Sequence, residues 1–333
     1  MDRHDVIAFG ASAGGFDAIR KVLMKLPADF PAVIFVTLHL RAHSPDRFAK
    51  TLGHEVALPV NFATDGAKWK RGHVYLAPPD RHLLLEGERM VLSNGPRENG
   101  SRPAIDPMFR SIAATLGGRA IGVVLTGMLN DGTSGLMAIQ QCGGLAVIQH
   151  PHDALYPSMP LSAMSSMQVD YIVPLAEMAD LLSRLVQEPA GETIPPSPQL
   201  KLEIEIAKKR VASPDLPDSM GTRSTLTCPQ CHGVLWELSE GGLLRFRCHS
   251  GHTYTLESLA VDQAAALSRA LANAVRALAE REGLMRRMAE DARSRSRSDL
   301  AREWEERAKE YEEQAQQIRD IMLGGVERQA LDV

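Results

Sequence analysis

The sequence predicts an α/β protein built on a doubly wound, mainly parallel sheet, followed by a small Cys/His β module and a C-terminal α-helical hairpin. Three observations carry the prediction. Continuously apolar, β-branched runs alternate with amphipathic stretches over the first half of the chain. Three cysteines and three histidines cluster between Cys228 and His252. From about residue 257 onward apolar residues recur at steps of three and four.

In the first zone DVIAFG, AVIFVTL, GHVYLA, AIGVVLTG and LAVIQ read as strands, because apolarity without alternation is expected of strands covered on both faces. Between them GGFDAIRKVLMKL, SPDRFAKTLG, DPMFRSIAATLGG and TSGLMAIQQCGG read as helices. The last two stop at Gly-Gly, a natural helix end. Strand and helix in repeated alternation argue for a parallel sheet with helices on both faces. The expected organisation is a catalytic α/β domain over 1–186, a Pro-rich linker over 187–225, a Cys/His module over 226–256 and a helical hairpin over 257–333. Within the linker, KLEIEIAKKRV fits a strand or a short helix equally well.

The whole chain narrows the function classes. Its 333 residues carry 37 basic and 41 acidic side chains, a formal charge of −4. A dedicated nucleic-acid binder draws its affinity from neutralised phosphates and is disfavoured by that balance. No apolar run reaches the ~18–20 residues needed to span a bilayer. The N-terminus enters a strand pattern at once, without a signal-peptide layout, so a cytoplasmic protein without membrane insertion is expected. Three of the four cysteines are spaced as metal ligands rather than disulfide partners.

In an open parallel sheet the ligand crevice lies beyond the carboxyl ends of the strands. Ser12 follows VIAFG-Ala11, His39 follows VIFVTL, and Asp131 lies in the loop after GVVLTG. A nucleophile, a general base and an orienting carboxylate thus fall on strand ends of one sheet. Serine needs an imidazole to take its proton, and the carboxylate fixes the tautomer and stabilises the imidazolium. Gly10, Gly14 and Gly15 let the chain turn sharply and place Ser12 where a helix begins, with free N–H groups for an oxyanion. Ala13 and Met128 are the candidate oxyanion or substrate-binding residues. Singly, Ser12 would read as a helix N-cap, His39 as a structural histidine and Asp131 as a turn residue in N-D-G. GASAGG fits neither phosphate-loop pattern. The coincidence of all three favours the catalytic reading.

Taken together, GASAGG, the histidine after the second strand, LAPPDRHLLL, DPMFRSIA, LTGMLNDGTSGL and the MP of PSMP resemble the CheB-type protein-glutamate methylesterase domain over roughly residues 4–186. The resemblance implies hydrolysis of glutamyl methyl esters on chemoreceptors, with deamidation of certain glutamines. It makes Ser12 the nucleophile, His39 the base, Asp131 the carboxylate and Met128 the oxyanion-hole N–H, with no catalytic cofactor. Chemotaxis members usually carry a receiver domain ahead of the catalytic strand, and the expectation is that this switch is absent. The segments His39-Leu40-Arg41-Ala42-His43-Ser44 and Gln149-His150-Pro151-His152-Asp153, and the LYPSMP ending, depart from the family pattern, so a related signalling protein is an alternative substrate.

Cys228-Pro-Gln-Cys231 and Cys248-His249-Ser250-Gly251-His252 resemble a zinc-ribbon knuckle pair. Cys228, Cys231, Cys248 and His252 supply the closed tetrahedral set of a structural Zn²⁺. His249 is an alternative fourth ligand, and His232 a weaker one. GVLWELSEGGLLRFR reads as a hairpin turning at Gly241-Gly242. Cys142 stands apart and is expected to be a buried small residue. In the tail, Leu267, Leu271, Val275, Leu278, Met285 and Met288 form one apolar stripe, and Leu300, Trp304, Ala308, Tyr311, Ala315, Ile318 and Met322 another. RSRSRSD separates the two, so an antiparallel hairpin is expected, serving as a homodimer or docking surface. Arg293, Arg295 and Arg297 fit a solvated turn better than a nucleic-acid contact. The expected partner is a methylated chemoreceptor or a receptor-like helical protein. A non-catalytic interaction module, or an esterase for another substrate, is the competing reading.

Overall fold

The computed structural model describes residues 3–39, 47–209, 221–240 and 243–329, which divide into two compact units, Met1–Ala260 and Val261–Val333. Most of the altered segment after His39, the Gly241-Gly242 turn and part of the linker lie outside the described residues.

In the first unit the anticipated strands are β1 (Val6–Ala11), β2 (Val33–Leu38), β4 (Val74–Leu76), β7 (Ala120–Val124) and β8 (Leu145–Gln149). Two three-residue strands, β3 (Val60–Phe62) and β9 (Tyr171–Val173), extend the sheet at its edges. The sheet order is β3-β4-β2-β1-β7-β8-β9, and every pairing in it is parallel. From β1 the chain winds outward to one edge through β2, and later to the other through β7. The switch therefore falls at β1, the position beyond whose carboxyl end open α/β sheets place their ligand crevice.

Both faces of this sheet are covered, which is why its strands are apolar throughout. Ile7, Phe9, Ile34 and Val36 pack under α1 (Gly15–Leu23), α2 (Arg47–Glu55) and α6 (Leu175–Leu185). Val6, Ala8, Val33 and Phe35 point the other way, onto Ile105, Phe109 and Ile112 of α3 (Ile105–Leu116) and Leu136 and Ile139 of α4 (Thr133–Gln141). Cys142, at the end of α4, is buried as expected. A two-stranded antiparallel ribbon, β5 (His82–Glu86) and β6 (Arg89–Ser93), and α5 (Ser158–Ser166) complete the domain.

KLEIEIAKK resolves as helix α7 (Pro198–Lys208). Its ends explain why. Ser197 caps it by accepting from the Leu200 N–H, and Pro198 occupies its first turn, where a missing N–H costs nothing. Leu200 and Ile204 of α7 join the α3 layer of the core.

The Cys/His segment forms a four-stranded antiparallel sheet, β10 (Thr222–Thr227), β11 (Val234–Glu240), β12 (Leu243–Cys248) and β13 (Thr253–Thr255). The register of β11 on β12 pairs Glu240 with Leu243, as a hairpin turning at the intervening glycines requires. Helix α8 (Leu256–Ser294) begins directly after β13.

The second unit is a helical hairpin of the rest of α8 and of α9 (Ser298–Gln329). The chain reverses within the serine/arginine stretch, where Ser296 has φ +58°. Ala289, Ala292, Ala301, Ala308 and Ala315 are buried along the seam, small residues that let two helices approach closely. Arg293 pairs with Glu305, and Arg295 with Asp291 at 3.0 Å. No described helix is long and apolar enough to cross a membrane.

Candidate active site

Three strand ends deliver the polar residues. Ser12 leaves β1 with its N–H donated to Thr126 O at 3.0 Å, and the chain then turns through Gly14, at φ +72°, into α1. Only glycine adopts that left-handed geometry without strain. His39 follows β2. Asp131 precedes Gly132, which starts α4 at φ +95°.

These ends bring Ser12, His39 and Asp131 into one hydrogen-bonded chain. Ser12 Oγ lies 3.0 Å from His39 Nδ1, and His39 Nε2 lies 2.7 Å from Asp131 Oδ2. The arrangement is that of an imidazole protonated on Nε2, donating to the carboxylate and accepting the serine proton on Nδ1. The two nitrogens are exchanged relative to the trypsin-like order, but the chemistry requires only one accepting and one oriented nitrogen. The His39 side chain is 21% exposed and that of Asp131 only 2%, so the imidazole is open to solvent while the carboxylate stays dry.

Asp131 is held from several sides. Its Oδ2 also accepts from the Ile105 N–H at 2.7 Å, and its Oδ1 from the Asp106 N–H and from Asn99 Nδ2, both at 3.2 Å. Ile105 and Asp106 open α3, so the carboxylate meets unpaired N–H groups and the positive end of a helix dipole. Burial alone would push the acid up. The hydrogen bond and electrostatic attraction of His39, with the two backbone N–H groups, outweigh it and bring Asp131 down to about 2. The neighbouring Asp106 goes the other way, held well above the ordinary carboxylate range by burial and by the Asp131 charge.

The side of Ser12 away from His39 is shaped by Thr126 and Gly127. Thr126 Oγ1 lies 3.1 Å from Ala13 O and accepts from the Tyr156 N–H at 2.8 Å, while Gln149 Oε1 accepts the Thr126 N–H at 3.0 Å. These bonds tie the Ser12 turn, the Asp131 loop and the loop after β8 together. Neither the Ala13 nor the Met128 N–H donates to an acceptor among the described residues, so both are available to a developing oxyanion. Gly127 packs so closely that a Cβ there would lie 2.0 Å from Met159 Sδ and 2.9 Å from Ser12 Cβ. Gly127→Ala is expected to cost about 1–3 kcal/mol of stability. By displacing Ser12 it is expected to slow reaction at Ser12 Oγ about a hundredfold; thermal melting and the rate of Ser12 labelling by an organophosphonate check the two effects separately.

The second predicted cluster also assembles. The ligand atoms of Cys228, Cys231, Cys248 and His252 all lie within 4.8 Å of one another. Cys228 Sγ to His252 Nδ1 is 3.6 Å, Cys231 Sγ to Cys248 Sγ 3.5 Å, and Cys248 Sγ to His252 Nδ1 3.5 Å. Zn–S and Zn–N bonds of about 2.3 and 2.0 Å set tetrahedral edges of roughly 3.5–3.8 Å, so the donor set fits a metal ion. His249 instead lies against Gly233, where a Cβ would come within 2.2 Å of its ring, and His232 turns the knuckle at φ +60°. Sequence spacing left His249 and His252 open; the geometry selects His252.

Sequence reasoning missed Asn99, Thr126 and Gln149 as parts of the site. Asn99 lies 32 residues from Asp131, in a loop whose pattern gives no periodic signal.

A parallel α/β sheet carrying a Ser–His–Asp chain at its carboxyl edge, with N–H groups beside the serine, is the arrangement of a serine hydrolase. The CheB methylesterase family model matches residues 7–182, and the chain belongs to that family. It is 36% identical over 189 residues to a Hydrogenovibrio crunogenus protein named protein-glutamate methylesterase/protein-glutamine glutaminase, which covers 56% of this chain and 50% of the relative. A Xanthomonas euvesicatoria protein-glutamate methylesterase/protein-glutamine glutaminase 1 is 40% identical over 184 residues, covering 54% of this chain and 51% of the relative. The chain thus spans about half the length of these curated relatives. A Leptospira interrogans relative, 38% identical over 185 residues, is matched over 96% of its length. The crystal structure of the Thermotoga maritima CheB methylesterase catalytic domain is similar with a TM-score of 0.53 and 31% identity, over 55% of this chain and 98% of that domain.

Proposed function

We propose that this protein hydrolyses γ-methyl esters of glutamate on a methylated chemoreceptor or a related helical signalling protein, and releases ammonia from glutamine side chains at the same site. The hydrogen-bonded run from Ser12 Oγ through His39 to Asp131 carries the reading. Ser12 Oγ attacks the ester carbonyl carbon as its proton passes to His39 Nδ1. The carbonyl oxygen takes the negative charge and is met by the Ala13 and Met128 N–H groups. As the C–O bond breaks, the proton on Nδ1 passes to the departing methoxide oxygen, and methanol leaves. Water then attacks the acyl-enzyme, giving one proton to Nδ1 and leaving a glutamic acid. That proton returns to Ser12 Oγ, and no cofactor enters the cycle.

Exposed Met128, Leu155 and Tyr156 flank the loops around Ser12 and suit the apolar face of a receptor helix. Methanol release from a protein or peptide carrying glutamate γ-methyl ester tests this reading. Turnover by wild type supports it, and absent turnover with no Ser12 labelling by an organophosphonate contradicts it and leaves the non-catalytic module.

Cys228, Cys231, Cys248 and His252 would hold a structural zinc, since four protein ligands leave no open position for substrate. Elemental analysis is expected to give about one zinc per chain. Strong chelators are expected to disorder β10–β13, seen as a loss of strand circular dichroism and a lower Tm. We place the protein in the cytoplasm, with the α8–α9 hairpin as a dimer surface whose stoichiometry light scattering would read.

A further inference from the structure

Helix α8 starts with a reciprocal cap. Thr255 N donates to Ser258 Oγ at 2.9 Å, and Ser258 N donates to Thr255 Oγ1 at 3.3 Å, the capping-box arrangement in which each hydroxyl satisfies an otherwise orphaned N–H. Each hydroxyl still has its own proton to place. Thr255 Oγ1 donates to Asn130 Oδ1 at 2.7 Å, and Ser258 Oγ donates to Asn99 Oδ1 at 3.0 Å. Both recipients bear on Asp131: Asn130 is its chain neighbour, and Asn99 Nδ2 reaches its Oδ1 at 3.2 Å.

Asn99 is placed for this and little else. Its N–H donates to Thr253 O of β13 at 2.8 Å, and its backbone sits at φ +49°, which asparagine tolerates better than most residues. Its amide lies between two buried carboxylates, since Nδ2 is also 3.3 Å from Asp106 Oδ2. With one N–H for each acid and its oxygen fixed by Ser258, the amide has a single orientation that satisfies all its partners. The Thr255 and Ser258 side chains are buried too, so water does not compete for these bonds.

We propose that Asn99 is a positioning residue for the hydrolytic array, and that it takes its orientation from the capping pair at the start of α8. The Cys/His module and the first turn of α8 are then a working part of the esterase: they set the angle at which Asp131 holds His39. The proposal rests on the reading of Ser12, His39 and Asp131 as the hydrolytic array.

The test uses the full chain, with Asn99→Gly, Ser258→Ala and the double variant. Glycine removes the amide and accepts the left-handed backbone. The readouts are methanol release from a glutamate γ-methyl ester peptide and the rate of Ser12 labelling by diisopropyl fluorophosphate. Asn99→Gly is expected to lower kcat and the labelling rate about ten- to a hundredfold, with KM within about twofold. Ser258→Ala is expected to shift both in the same direction by less. The double variant is expected to match Asn99→Gly, because removing the relay twice costs nothing further. Wild-type kcat in Asn99→Gly, or losses that multiply in the double variant, would overturn the proposal. If Asn99→Gly does not fold, an unchanged kcat in Ser258→Ala overturns it alone. A wild-type protein that neither turns over nor labels refutes the hydrolase reading itself, and the proposal falls with it.

Discussion

Ser12→Ala is expected to lower hydrolysis of a glutamyl methyl ester by roughly 10⁴–10⁶-fold while leaving the fold and the Tm essentially unchanged. The size follows from the role proposed for the side chain. Without Oγ there is no acyl-enzyme, and the free Ala13 and Met128 N–H groups would assist only direct attack by water. Ser12 is partly exposed at the end of β1, so deleting one oxygen leaves no buried cavity. His39→Ala is expected to cost a comparable factor, and the double variant little more, because nucleophile and base act as one unit. Methanol release measured against Tm separates chemistry from folding. Equal turnover by Ser12→Ala and wild type would remove the serine mechanism outright.

The three residues of the candidate site were legible because topology puts them where sequence can see them. Ser12, His39 and Asp131 each follow a run of buried β-branched residues, and strand ends are identifiable from apolarity alone. Their support was not. Asn99 lies in a loop between β6 and α3, and it meets Ser258 across 159 residues, a pairing that no local pattern encodes. The short edge strands β3 and β9 have only three residues each, too few for a period to emerge. The β5–β6 ribbon turns at Gly87, φ +57°, inside a stretch that read as part of a motif rather than as two strands. KLEIEIAKK was ambiguous because Leu202, Ile204 and Ile206 alternate like a strand, while both acids and bases suit a helix. The cap at Ser197 and the proline after it decide the matter locally, and Glu203 shows why the helix carries a charge on its buried side.

Glu203→Gln is expected to destabilise the first unit by about 3–5 kcal/mol, the range seen when one partner of a buried ion pair is removed. Glu203 is 1% exposed and lies among Arg110, Arg245 and Arg247, which are equally buried. Arg110 Nη1 is 2.6 Å from its Oε2, Arg245 Nη1 3.1 Å and Arg247 Nη2 3.5 Å. Arg110 also pairs with buried Glu98, so three guanidinium groups share two carboxylates. A neutral amide at 203 would leave three buried cations against Glu98 alone, in a medium that screens them poorly. Because these arginines come from α3 and β12, the loss should fall on the attachment of the Cys/His module to the sheet domain. Burial opposes ionisation of Glu203, but Arg245, Arg110 and Arg247 together hold its acid far below the ordinary 4.5. An acid lowered on folding stabilises the folded state fully above its unfolded value and loses that contribution as pH falls below it. Wild type is therefore expected to lose stability as pH drops below about 4.5, and Glu203→Gln to lack that component. Arg247 supplies the contrast: its guanidinium donates no hydrogen bond among the described residues, and burial lowers its pKa. Arg247→Met should accordingly cost far less than Glu203→Gln, since it removes the surplus cation instead of stranding three. Urea unfolding of both variants at pH 4 and pH 7 checks the order, and an Arg247→Met loss equal to that of Glu203→Gln would show that packing, not charge, holds this seam.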